Sequence, residues 1–334
     1  MRTAALVSAS LIAASAFSAQ RHRPRMSIAP VADGGDASLC ICGCGVLGSM
    51  IAGQWTSAHA GATVVGETRG EGSHVLLGLL GVQPRTRAAR PERGSFRHVV
   101  FCAPPSSYSD DEYADEVALA ASLWDGQGAF VFTSSGGVYA EEDGGVVTED
   151  SATSETPRAQ KLLAAERAAL DAGGTVLRLA GLYSLERGAH KYWVAQDTVA
   201  AAPDGLVNLC SYEDAARACV AALHAPAERA LRGRTLLVAD GAPRTREQIC
   251  AAACRHALYA NRAPGPTFDA GAGEQRRGAK GSGRVYDGSA TRELLGWEPQ
   301  HASFDAYIDD LLKIHDRMLN PAPAAPKDFT YNSY

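Results

Sequence analysis

From residue 38 onward, short apolar runs alternate with stretches whose apolar residues recur every three to four positions. Runs at 39–42, 63–65, 98–102, 129–133 and 175–179 predict buried strands. Between them, 110–124 and 158–172 predict amphipathic helices. In the second of these, Leu162, Leu163, Ala165, Ala169 and Leu170 share one face at the helical period. The alternation predicts an α/β fold, a doubly wound parallel sheet with right-handed crossovers. After Gly181 the texture changes: 207–210 and 235–238 predict short strands, while 212–224, 244–256, 291–295 and 304–318 predict helices. Residues 271–284, rich in Gly and Arg, predict a loop. The division expected is a main domain over 37–180 and a smaller C-terminal lobe over 181–318, partly interleaved with it. A tail at 319–334 carries Pro321, Pro323 and Pro326 and predicts an extended or disordered end.

The first strand runs into Gly43-Cys44-Gly45-Val46-Leu47-Gly48, a G-x-G-x-x-G turn that opens a helical stretch over 49–59. After a strand and before a helix, this pattern is the phosphate-binding turn of a Rossmann domain. Its first Gly permits the turn, its second lets backbone approach a pyrophosphate, and its third allows close packing of helix on strand. The helix-start amides, with Val46 and Leu47 among them, then hold the anion. The residues that distinguish two adenosine riboses belong about 20 positions on, at the end of the second strand. There Glu67 suits a ribose 2′-hydroxyl and NAD, whereas Thr68 and Arg69 suit a 2′-phosphate. The reading leans to NADP and leaves NAD open.

Composition removes several alternatives. A net charge of −5 on 334 residues argues against a nucleic-acid partner. No run approaches the ~18–20 apolar residues that cross a bilayer. The eight cysteines fit no small disulfide framework, and Cys40, Cys42 and Cys44 read as small apolar strand residues rather than metal ligands. Neither H-E-x-x-H nor G-x-S-x-G occurs. Residues 1–32 contain no acid. An apolar stretch over 4–16 ends in Ala14-Ser15-Ala16, and Phe17 then precedes Arg21, His22, Arg23 and Arg25. This resembles a two-part plastid presequence, with a signal peptide over 1–16 and a transit-like segment over 17–36. Secretion and a mitochondrial address are the alternatives.

Further motifs follow in order: Val100-Phe101-Cys102-Ala103-Pro104-Pro105, Phe132-Thr133-Ser134-Ser135-Gly136-Gly137-Val138-Tyr139, Arg178-Leu179-Ala180-Gly181-Leu182-Tyr183, and Leu295-Gly296-Trp297-Glu298-Pro299. With the glycine turn, they resemble the extended and atypical short-chain dehydrogenase/reductases, of the NAD-dependent epimerase/dehydratase group. The similarity is nearest to YeeZ-like proteins of bacteria and plant plastids. It implies a cofactor contact at Ala103, Pro104 and Pro105, a substrate-facing Ser at Ser135 and a ribose-holding Lys at Lys161. It also implies a proton-exchanging Tyr four residues before that Lys, where this chain has Pro157. Hydride transfer to a carbonyl needs a proton donor. Tyr183 is therefore either a substitute donor or a packing tyrosine, and Lys161 either meets ribose or pairs with Glu166. Arg187 and His190 fall on the loop where relatives receive substrate. The expected function is an NAD(P)-dependent oxidoreductase or isomerase acting on a small, sugar-like metabolite, with a homodimer and no membrane partner expected. The alternative is a non-catalytic NADP(H) sensor or assembly factor.

Overall fold

A computed structural model describes residues 37–90, 92–225, 231–271 and 283–319. The segment expected to be a presequence, most of the Gly/Arg-rich loop and all but the first residue of the Pro-rich tail lie outside these residues.

Seven parallel strands form the central sheet: β1 (Leu39–Cys42), β2 (Val64–Thr68), β3 (Gln83–Thr86), β4 (Phe96–Phe101), β5 (Trp124–Ser135), β7 (Thr175–Leu179) and β12 (Thr235–Val238). Their order is β12-β7-β5-β4-β1-β2-β3. β1 sits centrally, with Leu39 to Cys42 facing Val64 to Glu67 on one side and His98 to Phe101 on the other. All four of its residues are buried, which explains its unbroken apolar sequence. β3 was not foreseen. It is an edge strand of Gln83, Pro84, Arg85 and Thr86, and only an edge tolerates proline and so little apolar content.

Helices α1 (Val46–Ala58) and α6 (Tyr212–Leu223) pack side by side, as do α3 (Asp110–Ala121) and α4 (Pro157–Asp171). The strand order reverses between β1 and β4. Right-handed crossovers leaving that point in opposite directions place the two helix pairs on opposite faces. Local chemistry fixes where these helices start. Ser109 and Glu112 form a reciprocal capping box before α3. Thr156 caps α4 by accepting from the Ala159 amide, and Pro157 takes the first helical position, where no N–H is needed.

The chain beyond Gly181 serves both units. β12 completes the main sheet beside β7. A second core gathers Tyr183, Val194, Leu209, Ile249, Phe304 and Ile308. Burying a ring such as Phe304 contributes about 2–3 kcal/mol. Two short parallel pairs join distant segments: β8 (Gly181–Tyr183) with β11 (Leu209–Ser211), and β6 (Asp143–Val147) with β15 (Gly283–Tyr286). Leu209 and Cys210 thus belong to a strand separate from Leu206–Val207, because Asn208 turns its amide to β15 between them. All eight cysteines are free thiols, seven of them buried and Cys102 half-buried.

Candidate active site

The glycine turn joins β1 to α1 at the switch point, and its three glycines have three different causes. Gly43 has φ +93°, and a Cβ there would lie 2.4–2.7 Å from Ala103, just past β4. At Gly48 a Cβ would meet Ile41 at 2.9 Å and the Gly43 carbonyl oxygen at 3.0 Å. Both are required by the fold. Gly45 is exposed, and a Cβ on it would meet nothing nearer than the Gly43 oxygen at 4.0 Å. No neighbouring protein atom requires glycine there.

The same turn leaves amides free for an anion. Gly43 and Cys44 donate to the Glu67 carbonyl oxygen, and Gly45 donates back to Gly43. Ser49 begins the helical ladder by donating to Gly45. Val46, Leu47 and Gly48 occupy the first helical positions, where geometry provides no acceptor one turn back. No side chain caps this end and no acid stands in its first turn. The helix start is an open, positively polarised anion site.

At the end of β2 the side chains are sorted in a way the sequence left open. Glu67 is buried, and Arg90 grips its carboxylate from Nε and Nη2 at 2.9 and 2.7 Å. Arg85 adds a contact at 3.4 Å, and Arg90 continues to Glu116 at 2.7 Å. Thr68 Oγ1 lies within hydrogen-bonding distance of the Gly70 and Arg85 carbonyl oxygens and of His74 Nε2. Thr68 therefore holds the turn, and Arg69 beside it is exposed.

Past β4, Ala103 is buried under Gly43 and its carbonyl accepts from Tyr113 Oη at 3.0 Å. Pro104 is exposed, and Pro105 starts a short 3-10 turn. At the end of β5, Ser135 is half-buried and its Oγ accepts the Gly137 amide at 3.1 Å. Gly45, Ala103, Pro104 and Ser135 thus line the carboxyl edge of three adjacent strands, β1, β4 and β5. That is where ligands of open α/β sheets bind.

Several expected roles meet different surroundings. Lys161 does not pair with Glu166. Its Nζ donates to the Tyr108 carbonyl at 2.9 Å and pairs with Asp110 at 2.9 Å, which ties α4 to the start of α3. Glu166 is instead buried beneath β5 and β7, with Ser134 at 2.5 Å and Arg178 at 2.8–3.2 Å. Tyr183 is buried against Phe304 and Tyr307, and its hydroxyl has no hydrogen-bond partner. Burial raises its pKa further from use in proton exchange. The packing alternative fits this placement. His190 is 1% exposed, with Nε2 3.0 Å from the Leu185 carbonyl and its ring against Tyr259 and Phe304. Burial depresses its pKa, so it is a neutral core residue that shapes the 184–188 loop rather than one open to substrate. Arg187, on the same loop, is exposed.

Two residues at the site escaped sequence reading. Arg90 lies in an Arg-rich stretch whose register to β2 is set only by the fold. Tyr286, from β15, donates its hydroxyl to the Gly136 carbonyl at 2.6 Å. The only trace of it was the Gly136-Gly137 pair, since a Cβ on Gly136 would lie 2.6 Å from that hydroxyl.

Among the described residues, no group of three or more His, Cys, Asp or Glu side chains is arranged to hold a metal ion. No described helix is long and apolar enough to cross a membrane.

No protein-family model matches the chain, and no curated protein matches it. Solved structures do. A functionally unknown conserved protein from Silicibacter pomeroyi superposes with a TM-score of 0.67 at 19% identity, over 83% of this chain and 98% of that one. UDP-glucuronic acid 4-epimerase from Bacillus cereus, in complex with NAD, gives 0.64 at 17% identity, over 82% and 99%. UDP-N-acetylglucosamine 4-epimerase from Bacillus cereus gives 0.60 at 16% identity, over 83% and 98%. What the chain shares with these proteins is a Rossmann-like α/β fold of the kind carried by NAD-dependent sugar-nucleotide epimerases.

Proposed function

We propose that this protein binds a nicotinamide dinucleotide, with preference for NADP(H), and uses it on a small polar metabolite of the sugar-nucleotide class. The observation that carries the reading is the open space at Gly45 in front of the unpartnered helix-start amides. Close approach of a ligand accounts for a glycine there. The substrate class is taken from solved structures of like fold that hold UDP-glucuronic acid or UDP-glucose beside NAD. The preference for NADP rests on Glu67 being already neutralised by Arg90 and Arg85, with Arg69 left exposed to meet a 2′-phosphate.

In this reading Val46, Leu47 and Gly48 hold the diphosphate by their amides, while Ala103, Pro104 and Pro105 border the path of the cofactor. The dinucleotide, when bound, supplies hydride acceptance and return. Ser135 donates a hydrogen bond to the substrate oxygen. Arg187 is the cation available to an anionic substrate group at the lobe. The residues present at positions 157 and 183 supply no accessible phenol, so the proton must leave through another group of this chain or through solvent. A second reading has a specific observation behind it, namely Pro157 in place of the usual tyrosine: a non-catalytic NADP(H) sensor. The N-terminal residues support delivery to a plastid, and homodimerisation remains part of the proposal.

The test is direct. The protein purified from Ser27 onward is titrated with NADPH and NADH, and any co-purified nucleotide is identified by mass spectrometry. Incubation with UDP-sugars then reads epimerised or oxidised product in the wild type, Ser135→Ala and Lys161→Ala. Dinucleotide binding without any product across the panel favours the sensor, and no binding of either dinucleotide removes both readings.

A further inference from the structure

The turn after β5 contains a chain of two hydrogen bonds that meet on a single peptide group. Tyr286 Oη donates to the Gly136 carbonyl oxygen at 2.6 Å. The amide of that same peptide, the Gly137 N–H, donates to Ser135 Oγ at 3.1 Å. We propose that Tyr286 is a positioning residue for Ser135, acting through the peptide that joins Gly136 to Gly137. The inference rests on Ser135 facing the ligand, as in the function proposed above.

The physical effect has two parts. The amide occupies one lone pair of Ser135 Oγ and leaves the hydroxyl hydrogen free to be donated to a ligand oxygen. A hydrogen bond to the carbonyl end of a peptide also polarises its N–H. In such chains each bond strengthens its neighbour by about 10–30%. A hydroxyl whose oxygen accepts a strengthened bond is itself a better donor.

The surroundings are built to hold this phenol in place. Gly136 is glycine because the Tyr286 ring and hydroxyl fill the Cβ position at 2.6–2.7 Å. The Tyr286 amide donates to Asn208 Oδ1 at 2.8 Å, and Asn208 Nδ2 donates to the Arg284 carbonyl at 2.8 Å. Arg284 Nη1 donates to the Tyr139 carbonyl at 2.6 Å, and Tyr139 meets the Tyr286 ring edge-on at 5.9 Å. A residue of the last third of the chain is thereby locked onto the end of β5. Burial pushes the phenol up to about 12, which keeps it a donor at neutral pH. The 136–137 peptide runs between a buried side, where Gly136 meets Tyr286, and an exposed side at Gly137.

The experiment follows the Gly137 amide by NMR in isotopically labelled protein, in the wild type, Tyr286→Phe, Ser135→Ala and the double variant. The expected result is an upfield move of the Gly137 amide proton in each single variant, with the two moves failing to add in the double. Faster exchange of that amide in Tyr286→Phe accompanies it, while the amides of β1 and β4 stay in place. A Gly137 resonance unmoved in Tyr286→Phe, or moves that add, would overturn the proposal. Gly136→Ala, whose methyl displaces the phenol ring, gives a second route to the same readout. An NADPH titration of the wild type tests the functional reading separately, since absence of binding removes that reading while the Gly137 coupling stands.

Discussion

Arg90 clasps the Glu67 carboxylate in a two-point bond, Nε to Oε2 at 2.9 Å and Nη2 to Oε1 at 2.7 Å. The acid best placed in sequence to receive an adenosine ribose is therefore already taken. Arg69→Ala is expected to weaken NADPH binding by about tenfold or more, the loss of a charge-assisted contact, and to leave NADH nearly unchanged. Glu67→Gln is expected to lower thermal stability by about 1–3 kcal/mol without changing the preference between the two. Calorimetric titrations with both dinucleotides check this. A Glu67→Gln protein that selectively loses NADH would show that Glu67 meets the ribose after all.

The glycine turn separates folding from binding. Gly43→Ala forces a methyl to within 2.7 Å of Ala103 at a φ of +93°, and is expected to cost about 2 kcal/mol or more. Gly45→Ala meets no protein atom nearer than 4.0 Å and is expected to change stability by no more than about 0.5 kcal/mol. Its dinucleotide affinity should nevertheless fall at least tenfold, because the methyl occupies the approach to the amides. Melting curves and titrations on the same samples give both numbers. Undiminished binding in Gly45→Ala would end the reading of this turn as a phosphate site.

Beneath Ser135, the buried Glu166–Arg178 pair joins α4 to β7, and Ser134 completes it. Removing either charge leaves the other buried and unpaired. Glu166→Ala and Arg178→Ala are each expected to destabilise by about 3–5 kcal/mol. The double change to leucine should cost clearly less than either single, as the desolvation of both charges disappears with them. Denaturant unfolding measures all three, and a double variant as weak as the sum of the singles would contradict this account.

Asp240 predicts a pH dependence. It is 6% exposed, its Oδ2 has no hydrogen-bond partner, and burial pushes its pKa up to about 7 against an Ala242 amide that donates to Oδ1. A carboxyl raised in the fold favours folding when protonated. Its contribution is complete below the ordinary carboxylate pKa, near 3.9, and fades as pH climbs through 7. Asp240→Asn should therefore be more stable than the wild type at pH 8, by on the order of 2–4 kcal/mol, and lose that advantage toward pH 4. Melting temperature against pH for the two proteins tests it, and parallel curves would refute it.

The pattern of apolar runs foretold β1, β7 and β12 to the residue, because central parallel strands are buried on both faces and need continuous apolar sequence. It missed β3, whose edge position makes no such demand, and it stopped β5 short of Trp124 and Ser135 because its first residues are half solvated. The glycine turn was legible as well, since its requirements are local. Lys161 and His190 were not, because their partners lie on Tyr108 and Asp110, and on Leu185 and Phe304, which no spacing along the chain connects to them.

The sequence by itself determined the central buried strands, their helical covers and the glycine turn, all of which follow from solvent exclusion and backbone sterics within a few residues. Only the tertiary structure decided which charges cancel and which phenol reaches the turn after Ser135. Glu67 belongs to Arg90, Glu166 to Arg178, and the Ser135 turn to Tyr286, about 150 residues away in the chain. Electrostatic and hydrogen-bond pairing depend on distance in space, and that distance exists only after the sheet has brought its carboxyl edges together.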